Sequence, residues 1–206
     1  MSLEIADQRI RYLFIRMAGK QHIFLIGFSG SGKSTVGPLL ADRLGISFVD
    51  TDSLIEKQAG CAISEIFQDQ GERTFRRMER EAVETHVKRR KPAVIALGGG
   101  AFENPVIRKL ALSSGLVVYL SCSAREIYHR LRNTKDRPLL DKVLRLRKTT
   151  RQVWLDRVGL LLKKRLTNYR KADLIISTTD KSPKQAAVQL YHLIGGKHEN
   201  HQSKSR

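Results

Sequence analysis

Cysteine is nearly missing from this 206-residue chain: there are two, Cys61 and Cys122, far apart in sequence and without metal-ligand spacing. They cannot staple a multi-bridge secreted scaffold and they form no zinc motif, so reduced thiols in a cytoplasmic protein are the simplest reading. Aromatic residues make up only 6%, with a single Trp, and nowhere do they gather into the stacking platform that single-stranded nucleic acid requires. No apolar run approaches the length that spans a bilayer. Residues 1–20 mix apolar and basic side chains instead of placing a basic start before a continuous apolar block, which does not read as a secretory signal. Acidic residues are also scarce, 20 against 38 Lys and Arg, which leaves a net charge of +18.

That excess admits three partner classes: nucleic acid, an acidic membrane, or an anionic substrate. Its location narrows the choice. Between Arg130 and Lys171 there are 15 Lys and Arg against three Asp, a local +12. The charge is regional, where a cover over phosphates would be useful.

Hydrophobic residues make up 41% of the chain, ordinary for one folded domain with a full core. Short apolar runs at 22–26, 46–49, 93–97, 116–120 and 174–176 suit buried parallel strands. Helical stretches separate them. Asn104-Pro105 and Ser182-Pro183 read as an N-cap followed by Pro at the first helical position, and Ser123 with Glu126 as a capping box. This alternation predicts an α/β fold, a three-layer αβα sandwich around a mainly parallel sheet, with ligands at the carboxyl ends of the strands. No internal repeat or second domain is visible.

Gly27-Phe-Ser-Gly30-Ser31-Gly32-Lys33-Ser34 follows the first run and opens a helical pattern, as a phosphate-binding P-loop does. Glycines let backbone N–H groups turn inward around phosphate oxygens, and the helix start adds a favourable dipole. Lys33 reaches for the β- and γ-phosphates and Ser34 offers a hydroxyl to magnesium. Gly30, Ser31, Gly32, Lys33, Ser34 and Thr35 form the expected ATP-binding set. Pro38 falls inside the helix that follows and should bend it.

Asp50-Thr51-Asp52 ends the second run, and strand alternation puts its two carboxylates on one side. One could serve a magnesium shell and the other a substrate hydroxyl; the plainer alternative makes Asp52 only a helix-start residue. In Gly71–Glu79, read as the start of a helix, Arg76 and Glu79 share a face. An arginine fork there suits a carboxylate substrate, against the alternative of an ordinary surface pair. Gly98-Gly99-Gly100 ends the third run and bares backbone N–H groups to a ligand.

In order and spacing, the P-loop, Asp50-Thr-Asp52, Phe75-Arg76-Arg77 with Glu79, Gly98-Gly-Gly100 and Arg137-Pro-Leu-Leu140 resemble the shikimate kinases, from about His22 to the C-terminal helix. The resemblance implies a P-loop, nucleoside-monophosphate-kinase-like fold with a five-stranded parallel sheet and a mobile lid. It implies ATP and Mg2+, and phosphate transfer to the 3-hydroxyl of shikimate in aromatic amino-acid biosynthesis. Carried over, Asp50 and Ser34 would serve the metal, Asp52 the reacting hydroxyl, and Arg76, Arg165, Gly99 and Gly100 the rest of shikimate. Arg137 would be the lid arginine acting with Lys33 and Asp52 in catalysis, and Arg130 would stack on adenine. Residues 179–183 resemble the adenine-side loop, whereas the stretch from Arg137 to Arg165 is several residues longer than is usual in the family. The expected layout is an extension at 1–20, one kinase domain at 21–194 with a lid at about 133–151, and a flexible tail at 195–206. The expected state is a monomer with no specific nucleic-acid or membrane partner. Two rivals share the P-loop: a kinase for another polyol such as gluconate, and an ATP-regulated nucleic-acid-binding protein suggested by the charge.

Overall fold

The five apolar runs form the five strands β1 (His22–Ile26), β2 (Ser47–Asp50), β3 (Ala93–Ala96), β4 (Gly115–Ser121) and β5 (Leu174–Ser177), each end within one residue of expectation. The computed structural model describes residues 21–89, 91–132 and 150–194. The expected N-terminal extension, most of the lid with Arg137, and the C-terminal tail lie outside them. The strands form one sheet in the order β2-β3-β1-β4-β5, and every neighbouring pair is parallel. Eight α-helices and a short 3-10 helix (Ala101–Glu103) complete the described residues: α1 (Lys33–Leu44), α2 (Thr51–Ala59), α3 (Ile63–Asp69), α4 (Gly71–Lys88), α5 (Pro105–Ser114), α6 (Ala124–Leu131), α7 (Arg151–Tyr169) and α8 (Pro183–Leu193).

Helices cover both faces of the sheet, which is why the central strands read as unbroken apolar runs. In β1, Ile23 and Leu25 join Val36 and Leu40 of α1 and Leu190 of α8 in one core. Phe24 and Ile26 point the other way, to Val83 of α4, Ile107 of α5 and Tyr169 of α7. The edge strands β2 and β5 are less buried, having a neighbour on one side only. Because all strands run the same way, the segments after β1, β2, β3 and β5 emerge along one edge of the sheet. From β1 the chain crosses to β2 and returns beside β1 as β3, then passes to β4 on the other side of β1; the crevice at that change of direction is where such sheets bind ligands.

Local signals mostly behave as expected. The Asn104 side chain accepts from the Val106 N–H beside Pro105. Ser182 and Gln185 complete a reciprocal capping box, at 2.8 and 3.2 Å. The box expected at Ser123 is only half formed. Ser123 Oγ accepts from the Glu126 N–H, but the Glu126 carboxylate turns to Arg130 at 2.8 Å, and the Ser123 N–H donates to Thr179 instead. A charged hydrogen bond outcompetes a neutral one for the carboxylate. Helix α1 runs unbroken through Pro38.

Candidate active site

Gly27 turns the chain sharply out of β1: a Cβ there would lie 2.6 Å from the Leu120 carbonyl oxygen, and its φ of +144° disfavours any side chain. Gly32 caps α1 without a side chain to occupy the first-turn N–H groups, so that helix end remains open to an anion. Lys33 folds back, donating from Nζ to the Gly27 and Phe28 carbonyls at 2.9 and 3.1 Å. Ser31 is fully buried; its N–H donates to the Phe28 carbonyl and its own carbonyl accepts from Thr178 Oγ1 at 2.9 Å, which ties the loop to the segment after β5.

The expected placement of the two aspartates by strand alternation does not hold, because α2 begins at Thr51. Asp50 is the N-cap, and its Oδ1 accepts from the Asp52 and Ser53 N–H groups at 3.0 and 3.4 Å. The capping work considered for Asp52 therefore belongs to Asp50. Asp50 Oδ2 also accepts from Ser34 Oγ at 2.6 Å. This hydroxyl–carboxylate pair beside the phosphate loop supplies hard oxygen donors that fit Mg2+, a cation that completes its shell with phosphates and water.

The three glycines after β3 turn out to serve different needs. Gly98 donates its N–H to Thr51 Oγ1 at 3.0 Å, so that group is not offered to a ligand as expected. A Cβ on Gly98 would lie 2.5 Å from Asp52 Oδ1 and 2.9 Å from Glu79 Oε1; glycine here makes room for two carboxylates. A Cβ on Gly99 would meet the Ser29 hydroxyl of the P-loop at 2.7 Å. Gly100 faces the guanidinium groups of Arg76 and Arg165, each 3.5–3.6 Å from the place of its missing Cβ.

Arg76 pairs with Glu79 at 2.9 Å and with Glu72 at 3.2 Å. Glu79 is 1% exposed, which removes the surface-pair alternative. Burial, seconded by the Asp52 charge, pushes its carboxyl up to about 7 against the pull of Arg76 and Arg165. Arg165 donates to the Gly99 carbonyl at 2.8 Å, and its guanidinium lies 5.3 Å over the Phe28 ring. Tyr169, one turn further along α7, donates to the same carbonyl at 2.9 Å. Glu103 accepts from the Asn168 side chain at 2.9 Å, a second tie between α7 and the glycine segment.

A cleft of about 650 Å³ joins these parts, lined by Gly30, Gly32, Lys33, Ser34, Thr35, Asp50, Asp52, Gly99 and Arg130 among others. Gly100, Arg76 and Arg165 do not line it; they meet beside Gly99, which does. Arg130 is expected to stack on adenine. In the structure its guanidinium is held by Glu126, the Gly30 carbonyl and the Thr178 carbonyl, at 2.8, 3.2 and 2.7 Å. Lys181, Ser182 and Pro183 of the expected adenine-side loop line the cleft, as do Arg130 and Thr178. Sequence reasoning missed Thr178, Phe28, Glu103 and the work of Tyr169. Only Tyr169 carried a signal, its spacing of four residues from Arg165 on one helix face.

Comparison with known proteins agrees with this geometry. The family model described as shikimate kinase matches residues 29–194. A shikimate kinase of Chlorobium chlorochromatii is 45% identical over 77% of this chain and 83% of its own length. One from Chlorobaculum tepidum is 44% identical over 84% of this chain and 89% of its own. Among solved structures, the shikimate kinase of Acinetobacter baumannii in complex with shikimate superposes with a TM-score of 0.76 at 32% identity, over 87% of this chain and 96% of that one.

Proposed function

From the premise that this chain belongs to the shikimate kinase family, we infer that one end of its cleft receives ATP and the other shikimate. Its activity is transfer of the ATP γ-phosphate to the 3-hydroxyl of shikimate, giving shikimate 3-phosphate and ADP. The observation that carries the assignment of roles is the shared cleft: Lys33 at the phosphate loop and Asp52 at the acceptor side both line it.

In this reading the open N-terminus of α1, with Gly30, Gly32 and Thr35, holds the triphosphate. Lys33 exchanges its carbonyl acceptors for phosphate oxygens. Ser34 and Asp50 hold Mg2+, which when bound supplies positive charge against the phosphate oxygens. Asp52 orients the acceptor hydroxyl and takes its proton. Arg76 and Arg165 grip the substrate carboxylate beside Gly100, and the backbone of Gly99 and Gly100 completes the acceptor subsite. Arg130 stays beside the adenine-side loop. Arg137, the proposed lid arginine, and the proposed lid at about 133–151 up to residue 149 lie outside the described residues. We also propose a cytoplasmic monomer, since one chain supplies every residue named; among the described residues no helix is long and apolar enough to cross a membrane.

The test is ADP release with Mg-ATP, with and without shikimate, using gluconate as the control acceptor. Stimulation by shikimate alone is expected. Equal stimulation by gluconate would overturn the acceptor assignment, and sequence-selective, salt-resistant binding of DNA would promote the nucleic-acid rival.

A further inference from the structure

Glycine backbones change conformation at little steric cost, so a ligand-binding Gly-Gly peptide needs something else to hold it. Here the Gly99–Gly100 peptide is held by its oxygen. The Gly99 carbonyl accepts from Arg165 at 2.8 Å and from the Tyr169 hydroxyl at 2.9 Å, both carried on α7 four residues apart. Two donors occupy both lone pairs of that oxygen. In a planar trans peptide the C=O and the following N–H point in opposite directions, and the described residues contain no cis peptide. Tying the oxygen to α7 therefore turns the Gly100 N–H away from α7.

Tyr169 is well anchored for this work. It is 1% exposed and its ring stacks on Tyr119 of β4 at 4.8 Å. Burial raises its hydroxyl to about 12, so it remains a proton donor throughout the neutral range. Arg165 alone would be a poorer clamp, because the same guanidinium also faces Gly100 and the acceptor subsite.

We propose that Tyr169 is a positioning residue for acceptor binding: by holding the Gly99 carbonyl on α7 it fixes the direction in which the Gly100 N–H is offered to shikimate. This rests on the acceptor reading above. It assigns to a buried hydroxyl that touches no substrate a selective effect on one of the two substrates.

The experiment is steady-state kinetics of Tyr169→Phe, which keeps the stacked ring and removes only the donor. KM for shikimate should rise roughly five- to tenfold, the worth of about one hydrogen bond, with KM for ATP and kcat within about a factor of two. In 15N-edited spectra, the shift of the Gly100 amide on adding shikimate should shrink by more than half. A second pair, 4-aminophenylalanine and 4-fluorophenylalanine at position 169, holds the ring shape while keeping or removing the donor. The amino form should restore the wild-type KM and the fluoro form should not. An unchanged KM for shikimate, a parallel rise for both substrates, or equal behaviour of the amino and fluoro forms would overturn the proposal. If the wild-type protein itself fails to phosphorylate shikimate, the acceptor reading falls first and this inference with it.

Discussion

Asp50 and Asp52 stand two positions apart and have separate work because a helix begins between them. Asp50 is committed to capping α2 and to Ser34, which leaves the Asp52 carboxylate over Gly98 in the cleft. Asp52→Asn should therefore lower shikimate-dependent ADP release by about 10²–10⁴-fold, the usual worth of a positioned base. Nucleotide affinity, measured by titration, should hold; intact turnover would reduce Asp52 to a structural role. Glu79 makes a different prediction. The folded chain holds its proton up to about pH 7, whereas an ordinary carboxyl releases it near 4.5. Below 4.5 both states are protonated and the site costs nothing. As pH rises from 4.5 to 7 only the unfolded chain ionises, so stability falls, by roughly 3 kcal/mol once the folded state must ionise too. Glu79→Gln should flatten this slope in urea unfolding compared at about pH 5 and about pH 8. The same slope in both proteins would place the titration elsewhere.

At the scale of elements, two helix glycines should respond in opposite directions. Gly37 of α1 leaves the space that the Phe48 ring of β2 fills, and a Cβ there would collide with that ring. Gly37→Ala should destabilise by about 1–3 kcal/mol through overpacking. Gly159, inside α7, has nothing within 4 Å of its missing Cβ. Gly159→Ala should stabilise by about 0.5–1 kcal/mol through lower chain entropy and better helix propensity. Thermal melts of both variants decide it, and a drop for Gly159→Ala would mean the helix surface there is not open. Helix α7 carries Arg165 and Tyr169 to Gly99 and Asn168 to Glu103.

Over the whole molecule, the charge is unevenly compensated. On α4 three of the four arginines have glutamate partners, Arg76 with Glu72 and Glu79, Arg77 with Glu81, and Arg80 with Glu84. Helix α7 has Arg151, Arg157, Lys163, Lys164 and Arg165 against Asp156 alone. With a net charge of +18 and anionic substrates, the molecule should draw ligands in electrostatically. Raising salt from about 0.05 to about 0.5 M should lower kcat/KM for ATP several-fold while kcat stays within about a factor of two, because screening acts on encounter. A parallel fall in kcat would point to an effect on the bound state.

The linear chain already determined much of this protein. Five apolar runs, each bounded by turn and cap residues, placed the strands to within a residue, because strands buried on both faces leave a continuous apolar trace. The P-loop was legible because its chemistry is contiguous: loop, lysine and helix start lie within eight residues. Tertiary structure alone decided what depends on distant segments meeting. It put the helix start at Thr51 and so separated Asp50 from Asp52. It buried Glu79 and made an ordinary i, i+3 pair part of the site. It brought Tyr169 to a carbonyl 70 residues away in sequence and Thr178 to a loop carbonyl 147 residues away. Periodicity records the face a residue turns toward the core; it holds no record of which backbone oxygen waits there.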